Sequence, residues 1–308
     1  MRISVLGVGA IGAIMAGHLA QTEHELHLHV RGVRGARMML EGVVIEGLSL
    51  PDVPPERLMF SSEELPLDDS FEHRTDVLIL ASKSYALDDL LPLAHRLLKP
   101  EGIAFTVCNG LGHVEAMTRW LGPERVLAAT TTLGAYAEGE RTVWAGAGSV
   151  GLAVPPLGPG DHRVASVVAL MESAGLSIER VHDAMSLVWQ KVLLNVAVNP
   201  VAALAGLNNG ELLDGALFST CMSVYREAAL VAKMERVTVD DEVAFEHRLR
   251  EVLTATGDNA CSMLQDIKAG RRTEIDALNA FVVELAEHHG VSVPLNRALS
   301  AMVKACHP

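Results

Sequence analysis

The apolar positions of this chain follow two regimes. Up to about residue 181 they come in short runs bounded by glycines and polar clusters, and the runs at 2–6, 26–30, 76–80, 103–107, 126–132, 142–145 and 149–154 read as strands. Segments 10–20, 86–98 and 113–120, with apolar residues three and four apart, read as helices between them, and 164–173 and 177–181 read as one more helix and strand. Such alternation predicts an α/β, Rossmann-like, doubly wound parallel sheet covered on both faces. The proline- and glycine-rich stretch 155–160 reads as a loop inside this part. From residue 182 the pattern lengthens into helices expected at 184–204, 210–234, 240–254, 261–269, 274–289 and 294–304. Two domains are therefore expected, 1–181 and an all-α 182–308, with the cleft between them as the default binding site.

Within the apolar helix expected at 184–204, Lys191, Asn195 and Asn199 recur at intervals of four. That is close to one helical turn, so the three share a stripe that drifts by about 40° per step. An amine and two amides among Val, Leu and Ala would each cost about 1–3 kcal/mol or more if buried without partners. A polar ligand is a partner that would explain them.

Charge and cysteine usage narrow the field. A formal net charge of −13 argues against nucleic acid or an anionic membrane as partner, since both require clustered basic surface. Cys108, Cys221, Cys261 and Cys306 lie far apart without C-x-x-C spacing, so neither a zinc site nor a disulfide framework is indicated and a reducing cytoplasm is expected. Three of the thirteen histidines, His24, His27 and His29, cluster at an expected strand, along which His27 and His29 alternate, and this reads as a solvated strand face rather than a metal site. The apolar run that follows Arg2 could pass for a signal peptide, but Gly7, Gly9 and Gly12 interrupt it.

Those glycines belong to Gly7-Val8-Gly9-Ala10-Ile11-Gly12, a G-x-G-x-x-G that directly follows a strand and opens a helix. The first glycine permits the tight turn, the second lets a pyrophosphate approach the backbone, and the third lets helix and strand pack closely. At the end of the second strand, where NAD-binding chains place an acid for the ribose 2′-hydroxyl, stands Arg31, with Arg34 and Arg37 following and no acid before Glu41. A guanidinium can bind a 2′-phosphate that a carboxylate would repel, so NADP(H) is the expected cofactor. Lys83 and Asn109 each fall just past the carboxyl end of an expected strand, the edge at which doubly wound sheets bind ligands.

With Lys83, Asn109-Gly110-Leu111-Gly112, Lys191-Val192-Leu193-Leu194-Asn195 with Asn199-Pro200, Asn209-Gly210-Glu211, and Ser262 to Ile267 leading to Arg272-Thr273-Glu274-Ile275-Asp276, the chain resembles the ketopantoate reductase family over nearly its whole length. The resemblance implies a helical second domain similar to the C-terminal domain of 6-phosphogluconate dehydrogenase. It implies NADPH-dependent reduction of a 2-keto acid, 2-dehydropantoate, on the route to pantothenate and coenzyme A. It also implies Lys191 as proton donor, Asn195, Asn199, Asn209 and Ser262 around the substrate, and Lys83, Asn109, Glu274 and the backbone of Ala135 at the cofactor. Asn259, three residues before Ser262 on what reads as one helix, is a further candidate for the substrate or else a helix cap. A lysine within reach of a ketone oxygen can both stabilise the charge that hydride addition leaves there and supply the proton.

Two other readings stay open in the sequence. A paralogue of the same build could reduce another 2-keto acid, or an imine as opine dehydrogenases do with a histidine acid, for which His182 is the nearest candidate. A non-catalytic NADPH-sensing protein would keep the glycines and Arg31 but need neither Lys191 nor Glu274. The Ala-, Leu- and Val-rich helices of the second half make a homodimer plausible.

Overall fold

The first strand, β1 (Arg2–Leu6), leads through the glycine turn into α1 (Ala10–Leu19), and β2 (Glu25–His29), α2 (Gly32–Glu41), β3 (Ile45–Gly47), β4 (Leu58–Ser61), β5 (Thr75–Leu80), α3 (Leu87–Leu97) and β6 (Leu98–Thr106) follow. Next come α4 (His113–Leu121), β7 (Val126–Leu127), β8 (Ala129–Thr131), β9 (Ala135–Glu138), β10 (Arg141–Trp144), β11 (Val150–Ala153), α5 (His162–Ser173) and β12 (Ile178–Val181). The remainder is helical: α6 (Ala184–Ala205), α7 (Gly215–Met234), α8 (Glu242–Ala255), α9 (Ser262–Lys268), α10 (Asn279–His288) and α11 (Pro294–Ala305). The structure, a computed structural model, describes residues 1–47, 50–139, 141–144, 146, 148–154 and 162–306; the loop expected at 155–160 lies outside them. The chain divides into two units, residues 1–108 with 112–187, and residues 109–111 with 188–308.

In the first unit six strands pair in the order β4-β2-β1-β5-β6-β7, all parallel. This is a doubly wound, Rossmann-like sheet. Side chains alternate between its faces, and both faces are apolar because both are covered. Ile3, Val5, Leu26, Leu28, Val77, Ile79, Ile103 and Phe105 join the core that contains α1 and α5, while Leu6, Leu78, Leu80 and Ala104 join the one under α3 and α4. Two three-stranded sheets, β3-β10-β9 and β12-β11-β8, complete the unit.

The structure differs from expectation here at several points, and strands β3 and β9 are among the elements not expected. The run 126–132 is two short strands in different sheets, broken at Ala128. Helix α2 and strand β4 carry weak signals: α2 contains two glycines and buries only Gly35 and Met38, and β4 is four residues long. The histidine face is enclosed rather than solvated, with His27 buried and His29 half-buried. Because β4 pairs beside it, β2 is an interior strand, and His27 is fully buried with Nδ1 on Ser4 Oγ at 3.1 Å, Nε2 on Ser61 Oγ at 2.9 Å and the Phe71 ring 5.8 Å away.

The second unit packs around α6. That helix is long and apolar enough by composition to cross a membrane, yet 61% of its apolar window is buried inside the fold, with Trp189, Val192, Leu193, Val196 and Ala197 in the core. Asp183 starts it by accepting the backbone N–H groups of Met185 and Ser186, both at 3.0 Å. Two expected helices begin later than their apolar pattern. Residues Asn209–Leu213 form a 3₁₀ turn before Asp214 caps α7, and Ile275–Ala277 form another before the non-helical backbone of Leu278 sets off α10.

Candidate functional site

The glycine turn occupies the carboxyl end of β1. Gly7 has φ +81°, and a Cβ there would stand 2.6 Å from the Cβ of Ser82 at the end of β5, so only glycine is accommodated. At Gly12 a Cβ would crowd the Gly7 carbonyl oxygen at 3.1 Å and the Ala81 Cβ at 3.2 Å. At Gly9 the nearest atom lies 4.0 Å off, which leaves open space in front of the exposed backbone. Gly9 is also the N-cap of α1, with no side-chain cap and no acid in the first turn. Val8, Ala10 and Ile11 thus frame a helix start whose free N–H groups are unobstructed, a fit for a pyrophosphate.

Arg31 follows β2 as the exposed N-cap residue of α2, and among the described residues it forms no ion pair. The two arginines after it are engaged elsewhere: the Arg34 guanidinium donates to Thr142 Oγ1 on β10, and Arg37 pairs with Glu41 at 2.7 Å. Of the three, Arg31 alone stands at the strand end. Lys83 is half-buried at the N-cap of the 3₁₀ turn Ser84–Ala86 just beyond β5, and Ala135 is the half-buried first residue of β9.

The second group assembles in the helical unit. Asn109, although it follows β6 in sequence, belongs to this unit, where its Nδ2 donates to the buried Glu274 carboxylate at 3.0 Å and the Leu111 N–H donates to the Ala277 carbonyl at 2.9 Å. Asn209 and Asn259 are tied by a backbone bond, Asn209 N–H to Asn259 C=O at 3.0 Å, and Gly210 N–H reaches Gly257 C=O at 3.0 Å. Asn209 Nδ2 donates to Thr256 Oγ1 at 2.9 Å. Cys261, not Asn259, caps α9: its sulfur accepts the Leu264 N–H at 3.4 Å and its thiol donates to the Asn199 carbonyl at 3.6 Å. Burial pushes the Cys261 pKa up, which keeps the proton that this donation needs. The expectation that Asn259 and Ser262 share a helix is therefore corrected; Asn259 lies in the preceding loop and Ser262 is the first residue of α9, both exposed.

The result is a cluster in which a backbone bond ties Asn209 to Asn259, the thiol of Cys261, the residue before Ser262, reaches the Asn199 carbonyl, and half-buried Asn195 and Lys191 lie one and two turns before Asn199 on α6. Sequence reasoning overlooked Thr256 and Cys261. A cysteine is an unusual N-cap, and nothing in the local pattern marks Thr256 as the anchor of Asn209.

Two family models match the chain: "Ketopantoate reductase PanE/ApbA" over residues 3–156 and "Ketopantoate reductase PanE/ApbA C terminal" over residues 183–307. A 2-dehydropantoate 2-reductase of Pyrococcus horikoshii is 31% identical over 307 residues, covering 99% of this chain and 97% of its own. Among solved structures, a PanE/ApbA family ketopantoate reductase from Ralstonia eutropha JMP134 superposes with a TM-score of 0.86 at 25% identity, covering 99% of this chain and 98% of that one. A D-mandelate dehydrogenase solved with NADH and anilino(oxo)acetate shares the fold at a TM-score of 0.89, with 23% identity and the same coverage. Glycine turn, helical polar cluster and matched length agree, and the chain belongs to the ketopantoate reductase family.

Proposed function

We propose that this protein reduces 2-dehydropantoate to pantoate with NADPH, residues 1–181 serving mainly the cofactor and 182–308 the substrate. The observation that carries this reading is that Asn209, Asn259 and Ser262 gather in one helical unit with α6, the helix that bears Lys191, Asn195 and Asn199. A 2-keto acid with a hydroxyl group offers a carboxylate, a ketone and an alcohol, and neutral amide and hydroxyl donors suit all three. The 31% identity to a 2-dehydropantoate 2-reductase over nearly the whole chain supports the choice of substrate.

When bound, the reduced nicotinamide supplies the hydride. The remaining work falls to the protein. Gly7, Val8, Gly9, Ala10, Ile11 and Gly12 receive the pyrophosphate on backbone N–H groups, Arg31 pairs with the 2′-phosphate, and Lys83, Asn109, Ala135 and Glu274 shape the nicotinamide side. Asn195, Asn199, Asn209, Asn259 and Ser262 orient the keto acid. Lys191 donates a hydrogen bond to the ketone oxygen, stabilises its developing charge and gives up the proton.

The test is NADPH oxidation by the purified protein with 2-dehydropantoate, against pyruvate, 2-ketoisovalerate and an amino acid plus keto acid mixture. Selective turnover of 2-dehydropantoate is expected, and Lys191→Ala is expected to lower turnover by about 10²–10⁴-fold while NADPH still binds. Preference for another substrate would overturn the assignment, and full turnover in Lys191→Ala would remove that residue from the mechanism.

A further inference from the structure

Helix α6 contains a proline. Pro200 has no N–H, so the carbonyl four residues earlier, that of Val196, loses the donor an α-helix normally gives it. Val196 is fully buried, and an unpaired carbonyl there is costly. The structure fills the gap from another helix: Asn279 Nδ2, at the start of α10, donates to the Val196 carbonyl at 3.0 Å.

The orientation of that amide is dictated by its partner. A carbonyl can only accept, so the nitrogen of Asn279 must face Val196. Its second N–H then donates to Asn296 Oδ1 at 3.0 Å, which turns the Asn296 nitrogen toward the Val224 carbonyl at 3.2 Å and Glu227 Oε2 at 3.0 Å, both acceptors. Glu227 also accepts the first N–H groups of α11, from Leu295 and Asn296, each at 3.0 Å. Asn279 and Asn296 are fully buried. One bonded chain thus runs from α7 and α11 through Asn279 to the interior backbone position that Pro200 leaves open in the ladder of α6.

That position lies between Asn195 and Asn199 and a little more than one turn beyond Lys191. We infer that Asn279 is a positioning residue: its amide takes the place of the N–H that Pro200 withholds from Val196, and so fixes the stretch of α6 that carries Lys191, Asn195 and Asn199. Asn279 acts through these residues and needs no contact with substrate. The inference rests on the reading of Lys191 as proton donor.

Asn279→Ala, Pro200→Ala and the double variant test it. Pro200→Ala restores an N–H for Val196, so it replaces the donor that Asn279→Ala removes. Asn279→Ala is expected to lower kcat by roughly 10–100-fold, the size expected of a reacting group displaced by about 1 Å, with NADPH affinity within about twofold of wild type. Backbone amide exchange over residues 192–204 should quicken in that variant. In the double variant both kcat and exchange should return to the level of Pro200→Ala. Should Asn279→Ala not fold alone, the double variant still decides: kcat within about twofold of Pro200→Ala supports the clamp, and a loss of tenfold or more overturns it. Unchanged exchange in a folded Asn279→Ala also overturns it. Full turnover in Lys191→Ala would instead refute the reading of Lys191, and the exchange result would stand apart from that failure.

Discussion

The contact between Gly210 and Gly257 offers a perturbation whose size can be worked from the geometry. A Cβ on Gly210 would stand 2.9 Å from Gly257 Cα, 3.1 Å from its carbonyl oxygen and 3.3 Å from its carbonyl carbon, all backbone atoms that no side-chain rotation can move. Ordinary carbon contacts begin near about 3.5 Å, so the two segments must part by at least roughly 0.6 Å in Gly210→Ala. The bonds Gly210 N–H to Gly257 C=O and Asn209 N–H to Asn259 C=O, both 3.0 Å, lie across this contact. Stretched to about 3.6 Å they are no longer hydrogen bonds. Losing both costs about 1–3 kcal/mol, against which the reduced freedom of alanine in the unfolded chain returns about 0.4–1 kcal/mol. On central values the loss exceeds the gain by about 1 kcal/mol, and Tm should fall by about 2–4 °C. Because the parting separates Asn209 from Asn259, KM for the keto acid should rise while NADPH affinity holds. Thermal melting followed by circular dichroism and steady-state kinetics would measure both. A Tm equal to or above wild type with unchanged KM would refute the claim that these backbones hold the polar cluster together.

Two further outcomes are expected. Burial holds the His27 pKa at about 3 against the ordinary 6.5, with His29 and Arg2 adding smaller repulsions, so below pH 6.5 the unfolded chain takes up a proton that the folded chain refuses. Stability that is full above pH 6.5 is therefore lost as pH falls toward 3, by up to about 1.4 kcal/mol per pH unit, and His27→Gln should flatten the curve of Tm against pH between 6.5 and 4. Parallel curves for the two proteins would show that His27 does not drive the acid limb. Arg31→Asp should shift the ratio of kcat/KM for NADPH over NADH toward NADH, since a carboxylate repels the 2′-phosphate and suits the free ribose hydroxyl. A ratio that does not move would assign the phosphate to another residue.

The parts of the fold legible in the sequence are those where one physical cause acts alone. The glycine turn is such a case, because Gly7 answers a local φ and a close approach to Ser82 that no other residue meets. The long helices are another, since each buries a continuous apolar face. Where several causes compete, the pattern misleads. His27 and His29 alternate as a solvated strand would, but the pairing of β4 beside β2 turns that strand into an interior one, and β4 itself is too short to announce the fact. The late starts of α7 and α10 have the same origin: the 3₁₀ turns before them are apolar enough to continue the helical period, and the break is made by backbone geometry at Asp214 and Leu278.

The site shows the same division at the level of single residues. A polar side chain in an apolar helix demands a partner, and that demand singles out Lys191, Asn195 and Asn199 on α6. It applies also to Asn279 and Asn296, which lie in less apolar helices but are buried more completely. The pattern alone cannot separate the two groups, because burial pressure is the same whether the partner is a ligand or a backbone carbonyl. What separates them is Pro200. By withholding an N–H it creates an acceptor at Val196 that some buried donor must meet, and the amide of Asn279 meets it. The amide nitrogens of Asn279 and Asn296 are thereby accounted for within the protein, while Asn279 Oδ1 is buried without a hydrogen-bond partner, and α6 carries its polar stripe on the segment that this bond holds. In this family member the proline that interrupts the helix and the asparagine that repairs it are one device, and the residues proposed to meet the substrate lie on the turns to either side of it.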